Sequence, residues 1–145
     1  MSDMKARMES AQHILHHILI NDYCAKQTGM QIYDNKIKID IKCKANLIQI
    51  SKEELEERIN KIIKNNLPVI ITIYSRDKIP KYIDISSIPA YVKDIKIVAI
   101  GDYDIQPCGN KHVRNTSKIG DYKIISIRKN GKDVYSIEGT VINST

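Results

Sequence analysis

The chain has 145 residues and a mass of 16.6 kDa, the usual size of one domain and enough to bury a core without disulfide bonds. The longest uncharged apolar run, residues 67–74, is too short to span a membrane, and no signal peptide is visible at the start. Three widely spaced cysteines argue against a disulfide framework, so we expect a cytoplasmic protein. The net charge of +6 favours a polyanionic partner such as nucleic acid.

Two helices are predicted from the spacing of apolar side chains. Apolar residues recur at helical spacing over residues 3–20, and Asn21-Asp22 predicts the end of this first helix. Ser51 and Glu54 form a capping box, which predicts that the second helix begins at Ser51 and turns an apolar face to the core.

The remaining apolar runs predict strands. Ile37, Ile39 and Ile41 alternate with charged residues, which is typical of a half-buried strand, and Asn130-Gly131 predicts the turn of a hairpin. The strands are predicted at residues 32–43 (with a turn at 34–35), 47–50, 69–74, 95–100, 122–127 and 134–142. Helices mixed with antiparallel-looking strands predict one α+β domain over residues 1–145, in which an N-terminal and a central helix pack on an antiparallel-rich sheet.

Residues that bind metals occur in two distant segments. Glu9, His13 and His17 are four residues apart, so they share a face of the first helix, roughly opposite its apolar stripe. Cys108 and His112 are four residues apart in a polar loop, and zinc binds thiolate and imidazole ligands at such spacings. The two segments together predict one metal site; the alternative is that these histidines are solvated.

Four segments of the chain, taken in order, resemble a known family. Residues 10–15, SAQHIL, are similar to the (T/S)-A-x-H-L-L segment of the alanyl-tRNA synthetase editing domain and of the free-standing AlaX-type deacylases. Residues 27–40 resemble its Q-x-G-S…D-x-L-R-F-D-F stretch, and residues 51–68 resemble the helix that ends in N-x-P. Residues 101–120, GDYDIQPCGNKHVRNTSKIG, resemble G-D…C-G-G-T-H-V-x-x-T-G-E-I-G nearly throughout.

The resemblance covers about residues 5–140 and implies a synthetase editing-domain fold, in the short AlaX form because no β-barrel segment precedes the first helix. It implies Zn²⁺ as the cofactor, tRNA as the partner, no membrane, and hydrolysis in trans of seryl or glycyl esters wrongly attached to tRNA(Ala). The editing domain of threonyl-tRNA synthetase is a close relative with the same zinc pattern. The competing function is a non-catalytic RNA-binding relative with an altered or lost metal site.

The implied metal ligands depart from the family pattern at one position, because Glu9 stands where the first helix histidine is expected. Glu9 completes a set with His13, Cys108 and His112, or His17 replaces the missing imidazole. Alternatively, three ligands remain and Glu9 acts as a base, or zinc affinity is lost. We favour the first arrangement, which makes Glu9, His13, Cys108 and His112 the predicted metal-binding and catalytic residues.

The predicted substrate-binding residues are Gln27, Lys111 and Arg114. Gln27 aligns with a polar pocket residue of the family, whereas Lys111 replaces a small hydroxyl residue. Lys111 and Arg114 are placed to contact phosphates of the tRNA acceptor end, which position a nucleic acid without specifying its sequence. The metal would polarise the ester carbonyl, activate a water or hold the substrate's amino group, and the sequence leaves these open.

Overall fold

The computed structural model describes residues 3–143, so both ends of the predicted domain lie outside the described residues. The helices are α1 (Met4–Tyr23) and α2 (Lys52–Lys64), and the strands are β1 (Lys26–Ile32), β2 (Ile37–Lys42), β3 (Val69–Ser75), β4 (Asp94–Ile100), β5 (Asp104–Pro107), β6 (Asp121–Gly131) and β7 (Val134–Ile142). Short 3-10 helices lie at Leu47–Gln49, Arg76–Lys78 and Thr116–Ile119. The predicted α+β class is confirmed. Neither helix within residues 3–143 combines the length and apolarity of a membrane span.

The strands form two antiparallel sheets. The larger sheet has the order β1-β2-β7-β6, and the smaller has the order β3-β4-β5. Ile39 of β2 pairs with Ile137 of β7 at the centre of the larger sheet, and both side chains are buried under the helices. The smaller sheet has its own apolar cluster, built from Ile83, Ile95 and Ile97.

Helix α1 contacts strands of both sheets, and this position explains its unusual burial. Asp3 caps its first turn by accepting a hydrogen bond from the amide of Ala6 at 3.1 Å. The helix ends at Cys24, in left-handed backbone, and so runs past the predicted stop at Asn21-Asp22. Because elements pack around several sides, the face that carries Glu9 is buried, although the sequence predicted it away from the core.

Helix α2 confirms its predicted start. Ser51 is the N-cap, and its Oγ accepts a hydrogen bond from the amide of Glu54 at 3.2 Å. Leu55, Ile59 and Ile63 are buried against the larger sheet, as the helical spacing predicts. The cap and the apolar face are both local patterns, which is why the sequence alone was sufficient here.

Several other local predictions were wrong. Strand β5 lies in a segment that was predicted to be a loop, because its conformation comes from pairing with β4. Residues 47–50 form a 3-10 helix instead of a strand, because Asn46 caps the turn through a hydrogen bond from the amide of Ile48. Strand β1 was missed since its polar residues lack an apolar alternation, yet it pairs with β2 along its length. The predicted hairpin of β6 and β7 is confirmed, but its turn is at Lys132-Asp133, directly after Asn130-Gly131, and Asp133 takes a positive φ of 60°.

A candidate metal centre

The predicted metal-binding residues meet where α1 contacts the loop after β5. Glu9 and His13 lie one turn apart on α1, and Cys108 follows β5 directly. The amide of Cys108 donates to the carbonyl of Lys96 at 3.1 Å, which extends the pairing with β4 and holds the loop beside the helix. His112 lies four residues further along this loop.

One ligand atom from each of Glu9, His13, Cys108 and His112 lies within 4.8 Å of the others. His13 Nε2 is 3.6 Å from Glu9 Oε1, and Cys108 Sγ is 3.5 Å from the same oxygen. His112 Nε2 is 3.4 Å from Cys108 Sγ. Four donor atoms from two distant segments therefore face a common space.

The donor atoms of this cluster fit a cation. Glu9 Oε2 and His13 Nδ1 are buried and have no hydrogen-bond partner among residues 3–143. A buried carboxylate oxygen without a partner is costly, and a cation among these groups would offset that cost. One sulfur, two imidazole nitrogens and one carboxylate oxygen are the ligand types and the ligand number of a tetrahedral zinc site.

The surroundings set the protonation of the cluster. Burial, together with the neighbouring His13, lowers the pKa of His112 to about 3, so its imidazole is neutral and free to act as a ligand. Burial raises the pKa of the Cys108 thiol to about 11, and the nearby Glu9 carboxylate acts in the same direction. Burial alone would raise the pKa of Glu9, but hydrogen bonding and charge attraction from His13 outweigh it, and the pKa falls below its usual value.

Ser10 orients His112, a role that the sequence analysis did not assign. The fully buried Ser10 Oγ lies 3.0 Å from His112 Nδ1, and it accepts a hydrogen bond from the amide of Val113 at 3.1 Å. Since Nδ1 is held by Ser10, the opposite nitrogen of the ring faces Cys108. The sequence shows that Ser10 lies one turn before His13 on the helix. It does not show that the fold brings Ser10 beside His112, 102 residues further along the chain.

His17 lies outside the four-residue cluster. Its Nδ1 is 3.1 Å from Asp104 Oδ1, and its ring packs on Tyr103 with the ring centroids 4.2 Å apart. Gln27, the third predicted substrate-binding residue, accepts a hydrogen bond at Oε1 from Gln12 at 2.7 Å, and Gln12 directly precedes His13 in α1.

Two cavities border the cluster and share Asp3, Ala6 and Lys111. A groove of about 570 Å³ includes His112, and a pocket of about 320 Å³ includes Glu9. The groove combines five cationic side chains with one acidic and several apolar residues. The cationic residues are Arg7, Lys96, Lys111, Arg114 and Lys118, the acidic residue is Asp3, and the apolar residues are Ala6, Ile71 and Val113. Two of the three predicted substrate-binding residues, Lys111 and Arg114, thus line one basic groove beside the cluster.

Comparison with known proteins reveals several relatives. Residues 95–138 match the family described as threonyl and alanyl tRNA synthetase second additional domain. The chain is 37% identical over 137 residues to the alanyl-tRNA editing protein AlaX-L of Pyrococcus horikoshii, an alignment that covers 92% of this chain and 33% of the relative. It is 30% identical over 142 residues to the alanine–tRNA ligase of Francisella philomiragia, covering 95% of this chain and 16% of the ligase.

The alanine–tRNA ligase of Bacillus subtilis is 33% identical over 123 residues, covering 81% of this chain and 14% of that ligase. The chain therefore spans about a third of the length of AlaX-L and about a sixth of these ligases. These alignments cover 81–95% of this chain, and the family match includes Cys108 and His112. The chain is thus a relative of the AlaX-type editing proteins and of the synthetase domain that they resemble, as its motifs predict.

Proposed function

We propose that this chain is a single aminoacyl-tRNA editing domain that uses Zn²⁺ to hydrolyse mischarged tRNA in trans. The single observation that carries the proposal is the convergence of Glu9, His13, Cys108 and His112 beside a basic groove. The name of AlaX-L, a relative matched over 92% of this chain, indicates alanyl-tRNA editing. The proposed substrates are accordingly Ser-tRNA(Ala) and Gly-tRNA(Ala).

The four clustered residues would hold the ion. A bound zinc supplies Lewis-acid chemistry: it polarises a carbonyl oxygen or lowers the pKa of a water. The chain itself keeps His112 in the form that a metal requires, because burial lowers the pKa of its ring and Ser10 fixes its orientation. The Cys108 thiol, whose pKa is raised to about 11, would lose its proton when the ion binds. The carboxylate of Glu9 adds a negative charge, which favours a dication over a neutral ligand.

The groove and the pocket would bind different parts of the substrate. Cations such as Lys96 and Arg114 attract the phosphates of the acceptor end, while the smaller pocket beside Glu9 takes the aminoacyl group. Lys111 lies between the two and would contact the junction of ribose and amino acid. A pocket of about 320 Å³ favours small side chains by steric exclusion.

The reaction is ester hydrolysis. The oxygen of a water forms a bond to the acyl carbon, the bond to the ribose oxygen breaks, and that oxygen leaves with a proton as a hydroxyl group. The amide of Cys108 is already paired with the carbonyl of Lys96, so the amides of Gly109, Lys111 and His112 are the candidate donors to the developing negative charge on the carbonyl oxygen. The products are a free amino acid and an intact tRNA.

Metal content and deacylation together test the proposal. Purified protein should contain about one zinc per chain by elemental analysis, since the four residues supply one tetrahedral ligand set. It should also release serine or glycine from the corresponding tRNA(Ala). Cys108→Ala should lose both properties, whereas the matched control Cys24→Ala, an exposed cysteine away from the cluster, should keep both. Full activity in Cys108→Ala would overturn the proposal, and binding of tRNA without zinc or hydrolysis would support the non-catalytic alternative.

Variants of Glu9 decide between the ligand sets. If Glu9 is a ligand, Glu9→Ala should weaken zinc binding, whereas Glu9→His should retain or strengthen it because imidazole is a good zinc ligand. Zinc affinity is measured by competition with a chelator of known strength. Unchanged affinity in Glu9→Ala would instead indicate a three-ligand site or a contribution from His17.

A further inference from the structure

A buried carboxylate lies behind His13, on the side away from Glu9. Asp104 begins β5, and its side chain is only 9% exposed. Its Oδ2 is 3.7 Å from His13 Nδ1, and its Oδ1 is 3.1 Å from His17 Nδ1. The two oxygens of one carboxylate therefore face two histidines that are neighbours on the same face of α1.

The position of Asp104 is built into the β4–β5 hairpin. Gly101 takes a positive φ of 49° in the turn, and the amide of Tyr103 donates to the carbonyl of Ile100 at 2.9 Å. Asp104 then pairs with Ile100 across the hairpin. The carboxylate is also held from its own strand, because Gln106 Nε2 donates to Asp104 Oδ2 at 2.8 Å. The backbone pairing thus places Asp104 beside α1, and Gln106 holds its carboxylate.

This carboxylate does not face the substrate side. It lines a separate cavity of about 750 Å³ together with His17 and Gln106, and none of the four clustered residues lines that cavity. The position of Asp104 therefore does not support a direct role in ester hydrolysis. Asp104 would instead influence the metal centre through His13, which it faces.

The His13 ring connects Asp104 to the cluster. Nε2 faces Glu9 at 3.6 Å, while Nδ1 is buried and lacks a hydrogen-bond partner among residues 3–143. An imidazole that binds a metal through one nitrogen usually donates the N–H of the other to a carboxylate or carbonyl, which fixes its tautomer and its direction. The carboxylate that faces Nδ1 is that of Asp104, whose Oδ2 lies 3.7 Å away. A hydrogen bond between them requires the two groups to approach to about 3 Å.

We propose that Asp104 is a positioning residue for the metal centre: it accepts the Nδ1 proton of His13, so that the lone pair of Nε2 points into the cluster. His17 anchors the other oxygen of the same carboxylate. The inference rests on the proposed metal function, and it goes beyond it by assigning a role outside the four ligands. No motif used in the sequence analysis assigned Asp104 this role.

Zinc affinity tests the inference. Asp104→Ala should raise the Kd for zinc by about 10- to 100-fold, the usual effect of removing an outer partner of a metal-binding histidine. Asp104→Asn should weaken zinc binding less, because the amide oxygen of asparagine can still accept a hydrogen bond from Nδ1 of His13. The matched control is Asp102→Ala, which removes an exposed carboxylate from the turn of the same hairpin and should leave the Kd unchanged. An unchanged Kd in Asp104→Ala overturns the inference, as does an equal loss in Asp102→Ala, since the effect would then not be specific to the carboxylate that faces His13.

A second measurement reads the His13 tautomer directly. In ¹⁵N-labelled protein, the imidazole nitrogens of His13 should show a proton on Nδ1 in the wild type and in Asp104→Asn, and a mixture of tautomers in Asp104→Ala. The spectra also report whether each variant is folded. If the wild type binds no zinc, the proposed function fails, while the tautomer in the metal-free protein still decides whether Asp104 holds His13.

Discussion

The two sheets differ in how they are buried. In the larger sheet, Ile39 and Ile137 are each 1% exposed beneath the two helices. In the smaller sheet, the edge strand β3 leaves Ile70 and Ile73 exposed at 56% and 68%. Burial of apolar area is the main source of stability, so the larger sheet with its helices stabilises the fold. The smaller sheet contributes less stability.

The candidate metal centre lies between these two regions. The larger, well-packed region supplies Glu9 and His13 from α1, while the smaller sheet supplies the loop with Cys108 and His112. The geometry of the centre therefore depends on how firmly the second region docks on α1. The following four predictions test this comparison, in order of decreasing effect on the free energy of unfolding.

The largest effect is expected in the main core. Ile137→Ala removes a fully buried side chain from the central strand β7 and should lower the free energy of unfolding by about 2–5 kcal/mol. Denaturant unfolding measures this change. The matched variant Ile97→Ala, in the smaller apolar cluster, should cost less, because fewer buried side chains surround it. Equal losses would show that the two regions contribute equally to stability.

Zinc should stabilise the protein by linking the two regions. A ligand that binds only the folded state at 100 times its Kd adds about 2.7 kcal/mol. Removing zinc with a chelator should therefore lower the midpoint of denaturant unfolding. Cys108→Ala should unfold at the same midpoint with and without zinc. A zinc-dependent shift that survives in this variant would place the ion elsewhere.

Thr116 connects the main core to the segment after the metal-binding loop. Its Oγ1 donates to the carbonyl of Ile63 at 2.9 Å and accepts from the amide of Leu67 at 2.8 Å. Thr116→Val leaves both backbone groups without this partner and should cost about 1–3 kcal/mol in unfolding measurements. The control Thr72→Val changes an exposed threonine on β3 and should have little effect. A cost no greater than that of the control would show that this connection adds no stability.

The smallest effect is expected on the exposed edge of the second sheet. Ile73→Thr replaces a side chain that is 68% exposed by another β-branched residue, so stability should change by less than about 0.5 kcal/mol. Thermal and denaturant unfolding should agree on this result. A loss comparable to that of Ile137→Ala would mean that β3 is covered in solution.

Patterns that depend on near neighbours in the chain were predictable. The N-cap at Ser51 and the alternation of Ile37, Ile39 and Ile41 both match the structure, because capping and periodicity are local. Strand β1 was not predictable in this way. It is an edge strand with polar residues, and its conformation comes from hydrogen bonding to β2, not from its own apolar pattern.

The candidate site likewise combines features that the sequence predicts with features that only the fold decides. The sequence predicted that Glu9, His13, Cys108 and His112 would form one cluster, because helical spacing and a Cys-x-x-x-His loop are short-range patterns that the family resemblance joined together. Only the tertiary structure placed the two segments side by side, buried the Glu9 face of α1 and brought Asp104 behind His13. The physical reason is that helical periodicity distinguishes an apolar face from a polar one. Burial of the polar face required a second sheet, which begins more than forty residues after the end of α1, to pack against the same helix.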